Sequence, residues 1–456
     1  MISQNGSRHD SFARMPPVLR RQVWTAMSEP QRTALCRRGL DEIFDPLLRS
    51  SIGELIEDVR LRGDDAVCDA LQKFDGVTLT PEQLRLTDDD IDSARVDESL
   101  HTALQDAISH LRAFNEHLLE RASDWSIEIE PGLHVGERIS AISSAGLFVP
   151  SGKASYPSVA YQLGVPAVVA GVPELVLIVP PAPNTGGRVD PAVLVVCRML
   201  GIRNIFRVNG PAGIAALGFG TQSIPQVRKV VGPGSPAVTC AQVEMQRHGL
   251  ATMMLLGPTE SMVIGDHTAD PVRLAADLLI EAEHGTDSSV VFVSTSTQLI
   301  DEVDAQLTAQ IAQLPVARAD AARASLGING GAILVGSLAE AAEVANRYAP
   351  EHLQVAVDEK YQDELVHSLI NAGEVLLGQH TPFSAANFVI GCPASLPTSG
   401  FAHVSSGITV DAFLKRTAIA QSDERALKRM SSSVLALSDH EGFAAHGNAI
   451  RLRFAD

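Results

Sequence analysis

The sequence predicts an α/β protein with two parallel-sheet domains of similar build, flanked by helical arms at both ends. Three observations predict it. From Ile142 onward, short apolar segments alternate with helical ones, which is the rhythm of βαβ units. The apolar segments are hydrophobic on both faces, as parallel strands covered on both sides are. The alternation also comes in two runs, the first closed by VRKVVGPG. A chain of 456 residues is long enough for two or three domains with a large core.

Taken in order, residues 1–45 predict short polar helices, rich in arginine at Arg20, Arg21, Arg37 and Arg38, and forming an arm rather than core. One helix is predicted over 51–74 and another over 98–120. The first alternating run starts with SSAGLFVP and an apolar helix around Val159. ELVLIVPPAP, a helix over 191–200, NIFRV and a small-residue helix over 212–217 follow. The second run reads SMVIGD, a helix, SVVFVS, a helix over 299–314, AILV, a helix over 338–347, LQVAV and EVLLG. After Gly407 the tail is predicted to return to helix, ending in EGFAAHGNAIRLRF.

A net charge of −18 argues against a sequence-blind nucleic-acid or anionic-membrane binder, since both want a basic face. No uncharged apolar run is long enough to span a bilayer, and MISQNGSRHD lacks a signal-peptide core, so a cytoplasmic location is expected. Cys36, Cys68, Cys197, Cys240 and Cys392 are scattered, which indicates neither a disulfide framework nor a cysteine zinc site. No GxGxxG follows a strand, and Gly152-Lys153 lacks Walker spacing. Any nucleotide must bind in another way.

Two short stretches carry chemistry. PVRLAADLLIEAEH predicts one helix over 271–284, with Leu274, Ala275, Leu278 and Leu279 as its apolar stripe and Gly285 as its C-cap. Glu281 and His284, three apart, then share a face, and a carboxylate beside an imidazole suits zinc. The plainer alternative is a solvated helix end. In YAPEHL, Pro350 steers Ala349 away from helix, so the preceding helix stops and Glu351 and His352 fall at a loop-to-strand junction. Such a pair can act as a general base. The plainer alternative is a surface pair capping a strand.

These words occur with GLFVPSGKASYPS, GPAGIAALGFGT, KVVGPG, GPTESMVIGD, AADLLIEAEHG, RYAPEHL and EGFAAH. In that set and order the chain resembles the histidinol dehydrogenase family, from about Ser51 to the C-terminus. The resemblance implies two incomplete Rossmann-like domains in a homodimer. The first would comprise 46–147 with 257–405 and carry the metal and catalytic residues. The second, 148–256, would lie on the NAD side, with 1–45 as an arm and 406–456 as a tail completing the partner's site. It further implies one zinc per site and two successive NAD-linked oxidations, alcohol to aldehyde to acid.

Carried over by position, the implied metal ligands are Glu281, His284, Asn387 and His446. The implied catalytic pair is Glu351 and His352. Substrate contacts fall on Thr259, Glu441, His352 and Asn387, and NAD contacts on Phe148, Ala212 and Ser235. Several positions depart from the family pattern. Glu281 stands for Gln and Asn387 for Asp, two changes that leave the formal charge of the ligand set unchanged. Phe148, Ala212 and Ser235 replace tyrosine, glutamine and asparagine. Each lost hydrogen bond is worth about 0.5–1.5 kcal/mol. Ala394 replaces a substrate-binding histidine, and Phe388 a tyrosine. The expectation is a zinc-dependent, NAD-linked dehydrogenase acting on a small polar alcohol or amino alcohol other than histidinol. Two other readings stay open. One is a non-redox zinc enzyme (lyase, isomerase, cyclase or hydrolase) without NAD; the other is histidinol dehydrogenase itself.

Overall fold

The computed structural model describes residues 17–38, 44–151, 155–253 and 257–454. Its strands are, in chain order, β1 (Arg21–Val23), β2 (Trp125–Glu130), β3 (Leu133–Ala141), β4 (Ser144–Phe148), β5 (Glu174–Val179), β6 (Asn204–Arg207) and β7 (Lys229–Val231). Then come β8 (Glu260–Gly265), β9 (Ser289–Ser294), β10 (Gly331–Leu334), β11 (His352–Ala356), β12 (Glu374–Leu377) and β13 (Leu414–Ser422).

Two parallel sheets result, as the uninterrupted apolar runs require. One has the order β6-β5-β4-β7, the other β1-β10-β9-β8-β11-β12. Every residue of β8, β9 and β11 is buried, because helices cover both faces. On one face of the larger sheet Val263 and Phe292 pack with Leu274, Leu278 and Leu279 of the Pro271–Ala282 helix. On the other, Met262, Ile264 and Val291 pack with Val344 and Tyr348 of the Leu338–Tyr348 helix. The predicted strands of both runs appear in place.

The structure corrects the sequence reading at five points. The helix predicted over 51–74 is two helices, Pro46–Arg62 and Asp64–Asp75, broken at Gly63. There φ is +60° and ψ −128°, a backbone conformation that residues with a side chain adopt only under strain and glycine adopts freely. The described part of the N-terminal arm belongs to a core. β1 pairs with β10, and Val18, Leu19 and Trp24 are buried; full burial of one such side chain stabilises by about 1.5–3 kcal/mol. The helices of 46–121, expected to join the larger sheet, bury their apolar faces with the smaller one. Ile52, Ile56 and Val67 pack with Val176 and Phe206, and Leu104 and Leu111 with Leu147 and Leu177.

The tail does not return directly to helix. Its β13 pairs antiparallel with β3, which also pairs with β2, before the helices Glu424–His440 and Ala444–Arg451 follow. This third sheet was not predicted. Finally, the helix expected to reach His284 stops at Ala282, with Glu283 as its cap in place of Gly285. No helix among the described residues is long and apolar enough to cross a membrane.

Candidate active site

The candidate site gathers at the N-terminal edge of the larger sheet. Glu260, His352 and Glu374 are the first residues of β8, β11 and β12. In the parallel register His352 lies beside Glu374 and Ser261. The helices that return after each strand bring their C-termini to the same edge, which is how Glu281 and Tyr348 arrive there.

Pro350 stops the Leu338–Tyr348 helix as expected, but Ala349 takes a left-handed conformation (φ +52°) rather than an extended one. Its N–H still caps the helix on Ala345 O. A non-glycine residue held in this region is strained, and this turn delivers Glu351 and His352 inward. They are not a surface pair: Glu351 is 8 % exposed and His352 3 %.

His352 sits between two carboxylates. Its Nδ1 is 2.5 Å from Glu374 Oε1, and its Nε2 is 3.7 Å from Glu351 Oε1. The Phe383 ring meets the imidazole edge-to-face at 5.8 Å. Glu374's second oxygen accepts from Cys392 Sγ at 3.2 Å, and burial pushes that thiol up to about 12, so it keeps its proton to donate. Glu351 Oε2 accepts from the Glu260 N–H at 3.0 Å. Burial raises the Glu351 carboxyl well above the usual range, against the lowering effect of His352 and the Glu260 N–H. Burial also disfavours the His352 imidazolium. The charge of Glu351, the bond to Glu374 and the charge of Glu281 oppose it and win, so His352 titrates above an ordinary imidazole.

Behind this pair stands a buried ion pair missed by the sequence reading. Arg38 grips Glu260 with Nε and Nη2, both at 2.8 Å, and its Nη2 also donates to Tyr348 O. Its guanidinium stacks 3.5 Å above the Tyr348 ring. Ser399, another left-handed residue (φ +55°), donates its N–H to Glu260 Oε1.

Glu281, 1 % exposed, accepts from Asn387 Nδ2 at 2.7 Å through Oε1. Its Oε2 lies 3.4 Å from His284 Nδ1. His284 Nδ1 donates to Ile280 O at 2.9 Å. Three of the four implied metal ligands are therefore in contact. The fourth is not: His446, exposed in the tail, stacks on Phe443. No hydrogen bond or ion pair among the described residues joins it or Glu441 to the cluster, nor do they contain a cluster of three or more His, Cys, Asp or Glu able to hold a metal. Thr259 precedes β8, and its carbonyl accepts from the Ser289 N–H.

The segment after β12 ties the site to the smaller sheet. Tyr161 donates to Phe388 O, and the Ala394 N–H donates to Gln162 Oε1. The implied NAD positions lie on that smaller sheet. Phe148 ends β4, is 2 % exposed, and its ring packs on Gly210 and Gly234. Ala212 is fully buried in the Gly210–Phe219 helix. Ser235 is exposed at the N-cap of the Pro236–Met245 helix, with its hydroxyl uncommitted to the cap.

Glu374, Glu260 and Arg38 were missed. Glu374 had a findable signal, since it stands at the start of EVLLG as His352 stands immediately before LQVAV, and the two are register partners on adjacent parallel strands. Arg38 had no such signal, because its partner is 222 residues away.

The comparisons with known proteins agree with this architecture. A profile for histidinol dehydrogenase matches residues 43–454. A histidinol dehydrogenase of Xanthomonas campestris pv. campestris (strain 8004) is 38 % identical over 94 % of this chain and 98 % of its own. A histidinol dehydrogenase homolog of Colwellia psychrerythraea is 36 % identical over 93 % and 94 %. The crystal structure of histidinol dehydrogenase from Elizabethkingia anophelis superimposes with a TM-score of 0.89 at 30 % identity, covering 96 % of this chain and 98 % of that one. The chain belongs to the histidinol dehydrogenase family.

Proposed function

We propose that this chain is a dehydrogenase that oxidises a small amino alcohol, with His352 as its base and L-histidinol as the first candidate substrate. One observation carries the reading: a buried imidazole whose Nδ1 is committed to Glu374 while its Nε2 faces Glu351. Such a ring takes the substrate's hydroxyl proton at Nε2. Glu281 and Glu374 place two further carboxyl groups at this edge, which favours a substrate carrying an ammonium group over an anionic one. Relatives that carry the name histidinol dehydrogenase at 37–38 % identity support histidinol itself. Ala394 offers only a methyl where a histidine would grip the substrate, which makes other amino alcohols the second set.

The donor types fit zinc. Glu281 offers a carboxylate. His284 has Nδ1 donating to a carbonyl, which leaves Nε2 free as a ligand. Asn387 offers an amide oxygen, because its nitrogen is the atom bonded to Glu281. These three would hold the ion, with His446 supplied by a second copy of the chain. When bound, zinc polarises the substrate's heteroatoms and positions them.

The fit to NAD rests on backbone. Phe148 and Ala212 present no polar atom, and Ser235 presents one hydroxyl. The strand order nevertheless reverses between β4 and β7, and the ends of strands at such a point are the usual place for a nucleotide. Gly232 there has φ +138°, and a Cβ would sit 2.1 Å from Phe148 O. When bound, NAD supplies the hydride acceptor. Glu351, adjoining Nε2, is placed to activate water for a second oxidation.

The test is NADH formation by protein purified without chelator, offered L-histidinol and a series of related amino alcohols. The expected result is NADH from histidinol or a near relative, with product analysis separating aldehyde from acid. Consumption of an amino alcohol without NADH would move the chain to the non-redox reading.

A further inference from the structure

Outside the residues that the resemblance assigns, Glu374 is the buried carboxylate that bonds the His352 ring. We propose that Glu374 is a positioning residue for His352: its carboxylate fixes the imidazole with Nδ1 as donor, leaving Nε2 as the atom that exchanges protons with substrate. This rests on the reading of His352 as the base.

The geometry supports it from several sides. The Nδ1–Oε1 separation of 2.5 Å is short, as charge-assisted bonds are. Both side chains are buried, 4 % and 5 % exposed, so no water competes for the ring nitrogen. The carboxylate is itself held, because its other oxygen accepts from Cys392. Strand pairing sets the contact, since His352 and Glu374 are register partners on β11 and β12. The Phe383 ring limits rotation of the imidazole. The charged or titratable groups facing His352 are Glu351 before β11, Glu374 on β12 and Glu281 at the end of the Pro271–Ala282 helix. Of these, only Glu374 bonds Nδ1.

The chemical consequence is a division of labour between the two ring nitrogens. The substrate's O–H bond breaks, its proton goes to Nε2, and the electron pair stays on oxygen. The Nδ1 proton does not move; its bond to Glu374 stabilises the imidazolium that forms. Without the carboxylate, the ring is free to present the wrong tautomer.

The experiment compares the full-length protein with Glu374→Gln in two ways. The first needs no substrate: nitrogen-resolved NMR of protein labelled at histidine, with His352→Asn used to assign the His352 signals. A strongly deshielded Nδ1 proton is expected in the unmodified protein, lost or shifted upfield in E374Q. The second is steady-state kinetics. E374Q should lower kcat by up to about 10⁴-fold, the scale of loss when the orienting carboxylate of a comparable dyad is removed, with KM and metal content little changed. Glu374→Asp, which keeps the charge, should recover part of the loss and serves as the probe if E374Q does not fold. An Nδ1 signal unchanged in the variant, or kcat and pH profile equal to those of the parent, would overturn the proposal. If the parent makes no NADH from any amino alcohol, the NMR arm still decides the role of Glu374, while the proposed function fails separately.

Discussion

At His352 two opposing effects meet. Burial disfavours the charged ring, while Glu351, Glu374 and Glu281 favour it, and the net shift is upward from the ordinary value of about 6.5. A base must be neutral to act. The rate should therefore rise with pH, with a midpoint above that of a free imidazole. Glu351 is the largest of the upward influences, so Glu351→Gln should move the midpoint down. A pH profile of kcat/KM for both proteins checks this, read on whatever activity E351Q retains. How legible the residues were varies with the kind of contact. YAPEHL pointed to Glu351 and His352 because proline leaves a local mark on the chain. Glu260 left none. Its value comes from Arg38 and Ser399, which only folding brings to it.

At the scale of elements, the N-terminal segment is the main surprise. Its arginines suggested a solvated arm, yet Arg38 is a buried cation stacked on Tyr348 and paired with Glu260. Removing one member of such a pair leaves the other buried without compensation. Arg38→Ala should therefore destabilise the fold by about 3–5 kcal/mol, and Arg38→Met with Glu260→Leu by clearly less. Chemical denaturation of the three proteins measures both. The parallel strands were legible because complete burial makes them apolar throughout, as in SVVFVS. The antiparallel sheet was harder. WSIEIE does alternate, but all six residues are exposed, so its pattern marks no core, and the pairing of its neighbour β3 with β13 joins segments far apart in the chain.

At the scale of the whole molecule, one chain brings together only part of the set that the resemblance implies. Glu281, His284 and Asn387 are in contact, while Glu441 and His446 stand exposed on the tail. In our proposal a second copy supplies them. Neither His352→Asn nor His446→Ala homodimers should turn over substrate well. Mixed dimers of the two should recover activity, because the H446A chain keeps its own base and borrows His446 from the other. Mixed dimers, verified by mass, that stay as inactive as their parents would contradict the shared site. The resemblance suggested this arrangement from EGFAAH; spacing along the chain could not, since in our proposal the joining contact lies between molecules.

The central claim is that His352 is the base of an amino-alcohol dehydrogenase. The most direct measurement is kcat for NADH formation, on the best amino alcohol found, by the unmodified protein and by His352→Asn. The account predicts a fall of roughly 10²–10⁴-fold, with zinc content and thermal stability close to the parent's. Equal turnover by the two proteins would contradict it.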